Sequence, residues 1–468
     1  MKHSRRWLTA ATALLLLVSG CGGSESTSAP APQAVSDSPA PPGETSDGGA
    51  VPSVTTPPEQ APPAPAVPTE IARMFIDIEG SAEVIDKEEY LNATVRIESE
   101  LESDRLEVAT EIRGRGNATW AMPKKPYRLK LKTATSVLGM PPERDWALLA
   151  NYADKTMART EVAMTLGERM GMAWTPRSRF VELTVNGDYR GIYQVFEHVK
   201  PGPDRADVGP VVGDDAVDPE GISGGWFLEV DRGRGEDVCW DTNSSIVICA
   251  KEPELELDDV NDPASPAAAQ FGYIRNYVNA AEQALHTPGE EWRNFFDVPA
   301  AIDWYLVNEI MRNHDARLIS STYLQKRQGG PLVFGPLWDF DIAGGNFDYA
   351  NAEQQTGWWI RDSVWHSKMF ERLSFRQEVF QRWCDLKREN ATVALGGLVD
   401  EIGDRLGEEA VARNYARWPT LGVHMPPFYY TGATTYEGEL DFLKGWLETR
   451  VNWMDEQYRA EFGDCPAS

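Results

Sequence analysis

The chain runs to 468 residues and carries 72 acidic against 45 basic side chains, a formal charge of −27. Such a surface repels nucleic-acid backbones and anionic lipid, and it suits solubility outside the cell or cationic partners. With 16 Trp, 15 Tyr and 16 Phe, there is enough large apolar surface for a two-lobed unit, since single cores stop growing at roughly 250 to 300 residues.

In chain order, a basic start (Lys2, Arg5, Arg6) precedes an apolar run from Trp7 to Val18 and the ending Val18-Ser19-Gly20-Cys21, which is the order of a secretory signal. The run is too short to span a bilayer of roughly 30 Å. The small-small-Cys ending resembles the lipobox of bacterial lipoproteins. That implies cleavage after residue 20, lipid on Cys21, and an exported chain anchored extracytoplasmically to the cell membrane by that lipid alone. From 21 to 70 the sequence is Ser, Ala, Pro, Gly and acidic residues with almost no large apolar side chains. It cannot bury enough surface to offset its ordering entropy and reads as a disordered tether, extended by its prolines. The folded domain is expected over 71–468.

The first part of that domain reads as strands: Met74 to Ile78, Ala93 to Ile97, Leu106 to Ile112, and Tyr127 to Lys132, where Tyr127, Leu129 and Leu131 share one face. Phe180 to Val185, Asn186-Gly187, then Asp188 to Glu197 predicts a hairpin, because Asn-Gly suits a tight turn with two positive φ angles. Between them, Asp154 can cap a helix from Lys155 to Met170 that Gly171 stops. Later segments read as helical: Ala269 to Leu285, a helix opened by Asp297-Val298-Pro299, and a last one over 438–458. The fold class is therefore α+β, with a strand-rich half to about residue 200 and a helical half over 201–468. Beyond Cys21, export places four cysteines in an oxidising compartment. Three pairings are open; Cys239–Cys249, closing a short loop, and Cys384–Cys465, pinning the C-terminus, are the expected ones.

Four stretches concentrate polar chemistry. Arg113-Gly114-Arg115-Gly116-Asn117-Ala118-Thr119-Trp120, followed by Pro123 to Lys130, sets glycines between arginines, so that backbone N–H groups and guanidinium forks can grip a polyanion. Asp145 to Thr156 runs up to the first helix, and Asn308 to Asp315 closes the Pro299 helix. Phe334-Gly335-Pro336-Leu337-Trp338-Asp339-Phe340-Asp341 brings two carboxylates out of an apolar run, where they can cap a turn or hold Mg2+, a hard ion that prefers oxygen ligands.

Taken in order, RGRGNATW with PKKPYRLKL, LGMPPERDWALLANYADKTMART, FVELTVNGDYRGIYQVFEHV and FGPLWDFDIAGGN resemble the spore coat protein H (CotH) family of kinase-like proteins, from about Met74 to Tyr458. The resemblance implies an atypical protein-kinase-like two-lobed fold that encloses ATP and Mg2+ or Mn2+ and phosphorylates Ser or Thr on an extracytoplasmic protein. By the same resemblance Asp315 is the catalytic aspartate and Asp339 the metal-binding one, with Asp341 a second ligand. Kinases place an asparagine five residues after the catalytic aspartate, where this chain has Ser320, which can hold metal only weakly. Lys130 pairs with Glu161 in this picture, with Lys125 and Arg128 as competitors for the lysine's role. Arg113 and Arg115 reach the phosphates, and Gln194 to Glu197 offer backbone to adenine. Two other functions suit the same residues: a silent kinase-like binding or adhesion module of the cell envelope, and a metal-dependent phosphohydrolase or nucleotidyl transferase.

Overall fold

The computed structural model describes residues 70–233, 237–392 and 394–466; the leader, Cys21 and all of the tether before residue 70 lie outside them. The first half is strand-rich: β1 (Ala72–Ile78), β2 (Leu91–Glu98), β3 (Leu106–Gly114), β4 (Tyr127–Val137), β5 (Met140–Leu149), helix α1 (Arg159–Arg169), β6 (Ser178–Val185) and β7 (Asp188–Glu197). These strands close into a barrel in the order β1-β2-β3-β4-β5-β7-β6, sealed by parallel pairing of β1 with β6. Alternation decides what goes inside: Met74, Ile76, Val95, Ile97, Leu129, Leu131, Leu183 and Val195 fill the interior, while every second residue faces out. Asn186 and Gly187 adopt φ of 50° and 78°, as the hairpin reading expects.

Helix α1 begins at Arg159, four residues later than expected. Its N-cap is Ala158, without a side-chain cap, and Asp154 instead accepts from Arg159 N and from Thr156 N, each at 3.0 Å. This local turn occupies the residues that would have formed the first helical turn.

The second half is helical with a sheet inside it. Its elements are β8 (Trp226–Val230), β9 (Cys239–Asp241), β10 (Val247–Glu252), α2 (Leu257–Asn261), α3 (Pro266–His286), α4 (Val298–Ile310), β11 (Thr322–Lys326), β12 (Leu332–Phe334), α5 (Val364–Phe370), α6 (Leu373–Arg388), α7 (Leu395–Leu406), α8 (Glu408–Arg417) and α9 (Tyr436–Phe462). The sheet, in order β12-β11-β8-β10-β9, packs Trp226, Leu228, Val230, Ile248 and Leu324 into the large core shared with α3 and α4. Its other face carries Phe227, Glu229 and Tyr323, with Glu229 directly opposite both Tyr323 and Cys249. Both expected disulfides form, Cys239–Cys249 and Cys384–Cys465. Among the described residues no helix is long and apolar enough to cross a membrane.

Candidate active site

The loop after α4 carries Asp315, and the loop after β12 carries Asp339 and Asp341. Both are fastened at several points. Asn313 Nδ2 donates to Asp339 O (3.2 Å) and to Asn308 Oδ1 (3.2 Å), so one amide ties the two loops together. Asn346 Nδ2 holds Asp341 O at 2.6 Å and Ala153 O at 3.1 Å, and Arg159 Nε donates to Ala343 O at 3.1 Å. Asp339 sits at φ 62° and Ser321 at φ 53°, a region that side-chain-bearing residues adopt only when their surroundings impose it. Ser321 Oγ donates to Asp339 Oδ2 at 3.0 Å.

The three carboxylates disturb one another. Burial first, then the charges of Asp339 and Asp231, push the Asp315 carboxyl up to about 6. Burial raises Asp339, and burial followed by Asp339, Asp154 and Asp315 raises Asp341 well above the carboxylate range. Burial and its acidic neighbours thus favour the protonated form of Asp341. Across from them, Arg115 at the β3–β4 turn stacks over Trp338 at 5.3 Å. Its guanidinium makes no side-chain hydrogen bond or ion pair among the described residues, though Asp339, Tyr323 and Asp341 all act on its charge.

The acidic pair fits a hard cation. Among the described residues no three His, Cys, Asp or Glu groups enclose a metal site unaided. Mg2+, however, is usually held by one or two carboxylates with water and substrate phosphates completing its shell. Asp339 and Asp341 supply such a pair, and a cation there would relieve the mutual repulsion that raises both carboxyls.

The other expected site residues divide. Arg128 joins Arg115 on this side of the barrel, donating to Asp145 Oδ1 at 3.0 Å. Lys130 and Glu161 do not meet. Lys130 lies over the Tyr90 ring, whereas Glu161 takes hydrogen bonds from Gln194 Nε2 (3.0 Å) and Ser178 and faces Arg405 at 3.3 Å. Arg113 turns away to Lys87 O at 2.8 Å. Lys125 braces its own turn through Trp120 O at 2.7 Å. The N–H groups of Gly114 and Arg115 are already bonded to Asp86 O and Pro126 O, so those two are taken, and the turn presents the Arg115 guanidinium.

Nor can Gln194 to Glu197 offer backbone to adenine, because β7 is paired with β5 on one side and β6 on the other. The Glu197 carboxylate is held by Arg177 at 2.7 Å. Ser320 donates to Asp231 Oδ1 at 3.2 Å; it is the next serine, Ser321, that touches Asp339. Asp231 and Ser321 are the residues the sequence reading missed. Asp231 directly follows the apolar strand β8, a position that marks it in the sequence.

A family model described as "CotH kinase protein" matches residues 112–454, more than half of the chain. No curated protein matches it.

Proposed function

Because the chain belongs to the CotH kinase family, we propose that this cleft transfers the γ-phosphate of ATP to Ser or Thr of an extracytoplasmic protein, with the barrel as the strand-rich lobe of a kinase-like fold and the remainder as its helical lobe. The observation that supports this reading is one of missing charge. An unpaired arginine faces carboxylates that raise one another's protonation, and a metal–polyphosphate supplies both absent partners.

Phosphoryl transfer asks for positioning and charge neutralisation more than covalent chemistry. Mg2+ or Mn2+ at Asp339 and Asp341 would neutralise charge on the transferring group. Arg115 grips phosphate oxygens from the barrel side, and Trp338 beneath its plane keeps the guanidinium extended. Asp315 accepts the proton of the incoming hydroxyl. A base whose proton leaves near 6 is mostly ionised at neutral pH yet still basic enough to take a proton. Lipid on Cys21 would confine the acceptors to envelope proteins within the tether's reach and leave nucleic acid outside the substrate range.

The test is incubation of the full chain with γ-labelled ATP and Mg2+ or Mn2+. Labelled protein should form in the wild type and fall about 10²- to 10⁴-fold in Asp315→Asn and in Asp339→Asn. Free phosphate without labelled protein would instead assign a phosphohydrolase, and identical behaviour of all three chains a binding module.

A further inference from the structure

The outward barrel wall beside Arg115 holds a polar group that neither the carboxylates nor the fold accounts for. In register, Arg128 on β4 lies opposite Ala147 on β5, which lies opposite Phe196 on β7. Two residues further along the same face, Lys130 is opposite Asp145, and His198 follows where β7 runs out. Ala147 and Phe196 are both buried in this patch, and the Phe196 ring meets Trp338 at 5.3 Å.

His198 has cations and one acid around it. Arg128 comes from β4, Arg115 from the β3–β4 turn, Asp145 from β5 and Arg205 from the segment after β7. Arg205 donates to His198 O and to Asp145 O. Lys200, on the same segment, holds Asp145 Oδ2 at 2.9 Å and Glu143 at 3.2 Å. The local acids are thus already taken by Arg128 and Lys200. Two enclosed polar atoms are left without partners in this patch, His198 Nδ1 and Arg128 Nε. Enclosed polar atoms are almost always satisfied, so an orphaned pair beside an unpaired arginine points to a ligand with several acceptor oxygens.

We propose that His198 is a ligand-binding residue of the phosphate site, taking up a proton as a polyphosphate enters and then donating Nδ1–H to a phosphate oxygen. The inference rests on the cleft being a polyphosphate site. In the empty protein, burial and then Arg128 and Arg115 keep the imidazole neutral. A polyphosphate brings several negative charges into the same space and reverses that balance. The His198 proton is therefore bound in the complex and absent from the empty site, and affinity falls as pH rises through the value His198 has in the complex.

The experiment is calorimetric titration of the full chain with inorganic tripolyphosphate, without metal, in buffers of different ionisation enthalpy at neutral pH. Wild type should take up about one proton per bound ligand. His198→Asn, which keeps an amide donor near the Nδ1 position but cannot titrate, should still bind and lose that uptake, with weaker dependence on pH. His198→Ala, checked by its melting temperature, should bind about tenfold more weakly, as expected for losing one charge-assisted hydrogen bond. Binding with no proton uptake in wild type, or the same uptake in His198→Asn, overturns the role of His198 and leaves the phosphate site standing. No binding of tripolyphosphate by wild type, in this titration or in a repeat with Mg2+, overturns both.

Discussion

Lys124 is 2% exposed. Its Nζ donates to Ile192 O at 2.6 Å and Asn414 Oδ1 at 3.0 Å and lies 4.9 Å from the Tyr193 ring. No carboxylate pairs with it among the described residues, and burial lowers it to about 7. The unfolded chain holds that proton up to the ordinary lysine value, so between about pH 7 and pH 10 the unfolded state binds more protons. Stability should therefore rise across that window, by on the order of 3 kcal/mol in chemical denaturation. Above it the buried tyrosines, whose folded values are raised, work the other way. Lys124→Met should flatten the rise; a flat wild-type profile would refute the assignment.

The carboxylates of the cleft have the opposite sign. Their folded values are raised, so the folded state holds more protons than the unfolded between about pH 4 and pH 6, and their repulsion weakens the fold as pH rises through that window. Mg2+ should raise the melting temperature at pH 7 and do so less at pH 5, and Asp339→Asn should remove the response. Of these residues, Asp339 and Asp341 stood out in the sequence as carboxylates leaving an apolar run and Arg115 as an arginine between glycines, while Asp315, in the polar stretch that closes the Pro299 helix, took its role from the family resemblance. Lys124 and His198 were not. A burial penalty belongs to three-dimensional surroundings, and neither residue's neighbours in sequence announce it.

At the scale of elements, α4 and α9 are joined by Glu309 and Arg450, an ion pair with both side chains 0% exposed. Glu309 also accepts from Trp359 N and Arg361 N, each at 2.8 Å, and the Trp359 ring stacks on His314 at 5.3 Å, next to Asp315. The pair thus anchors the segment beneath the loop that carries Asp315. Arg450→Met should cost about 3 to 5 kcal/mol by stranding a buried carboxylate. Adding Glu309→Leu should not restore it, since two backbone N–H groups would then be orphaned; full recovery in denaturant melts would count against this reading.

The two disulfides should differ as their loops do. Separations of 10 and 81 residues predict that replacing Cys384 and Cys465 by serine costs about 1 to 2 kcal/mol more than replacing Cys239 and Cys249. Long periodic elements and the Asn-Gly hairpin were readable in the sequence. The strands β8 to β12 were missed because they run for only three to six residues each, too short to display a period of their own.

For the molecule as a whole, the patterns of β1 to β4 and of the β6–β7 hairpin announced a strand-rich half without β5, yet closure depends on β1 meeting β6, a contact across the entire half that no local pattern encodes. The place of β7 between β5 and β6 explains why the Gln194 to Glu197 expectation failed: a strand paired on both edges has no backbone left to give. What the barrel contributes to the site is its outer wall, where Arg115 and Arg128 face the loops of the helical half.

That division of labour makes one binding measurement decisive: equilibrium titration of the full chain with ATP, with and without Mg2+, in wild type and in Arg115→Met. Mg2+ should tighten ATP binding at least about tenfold in wild type, and Arg115→Met should weaken it with or without the metal. ATP affinity indifferent to both Mg2+ and Arg115 would contradict the account.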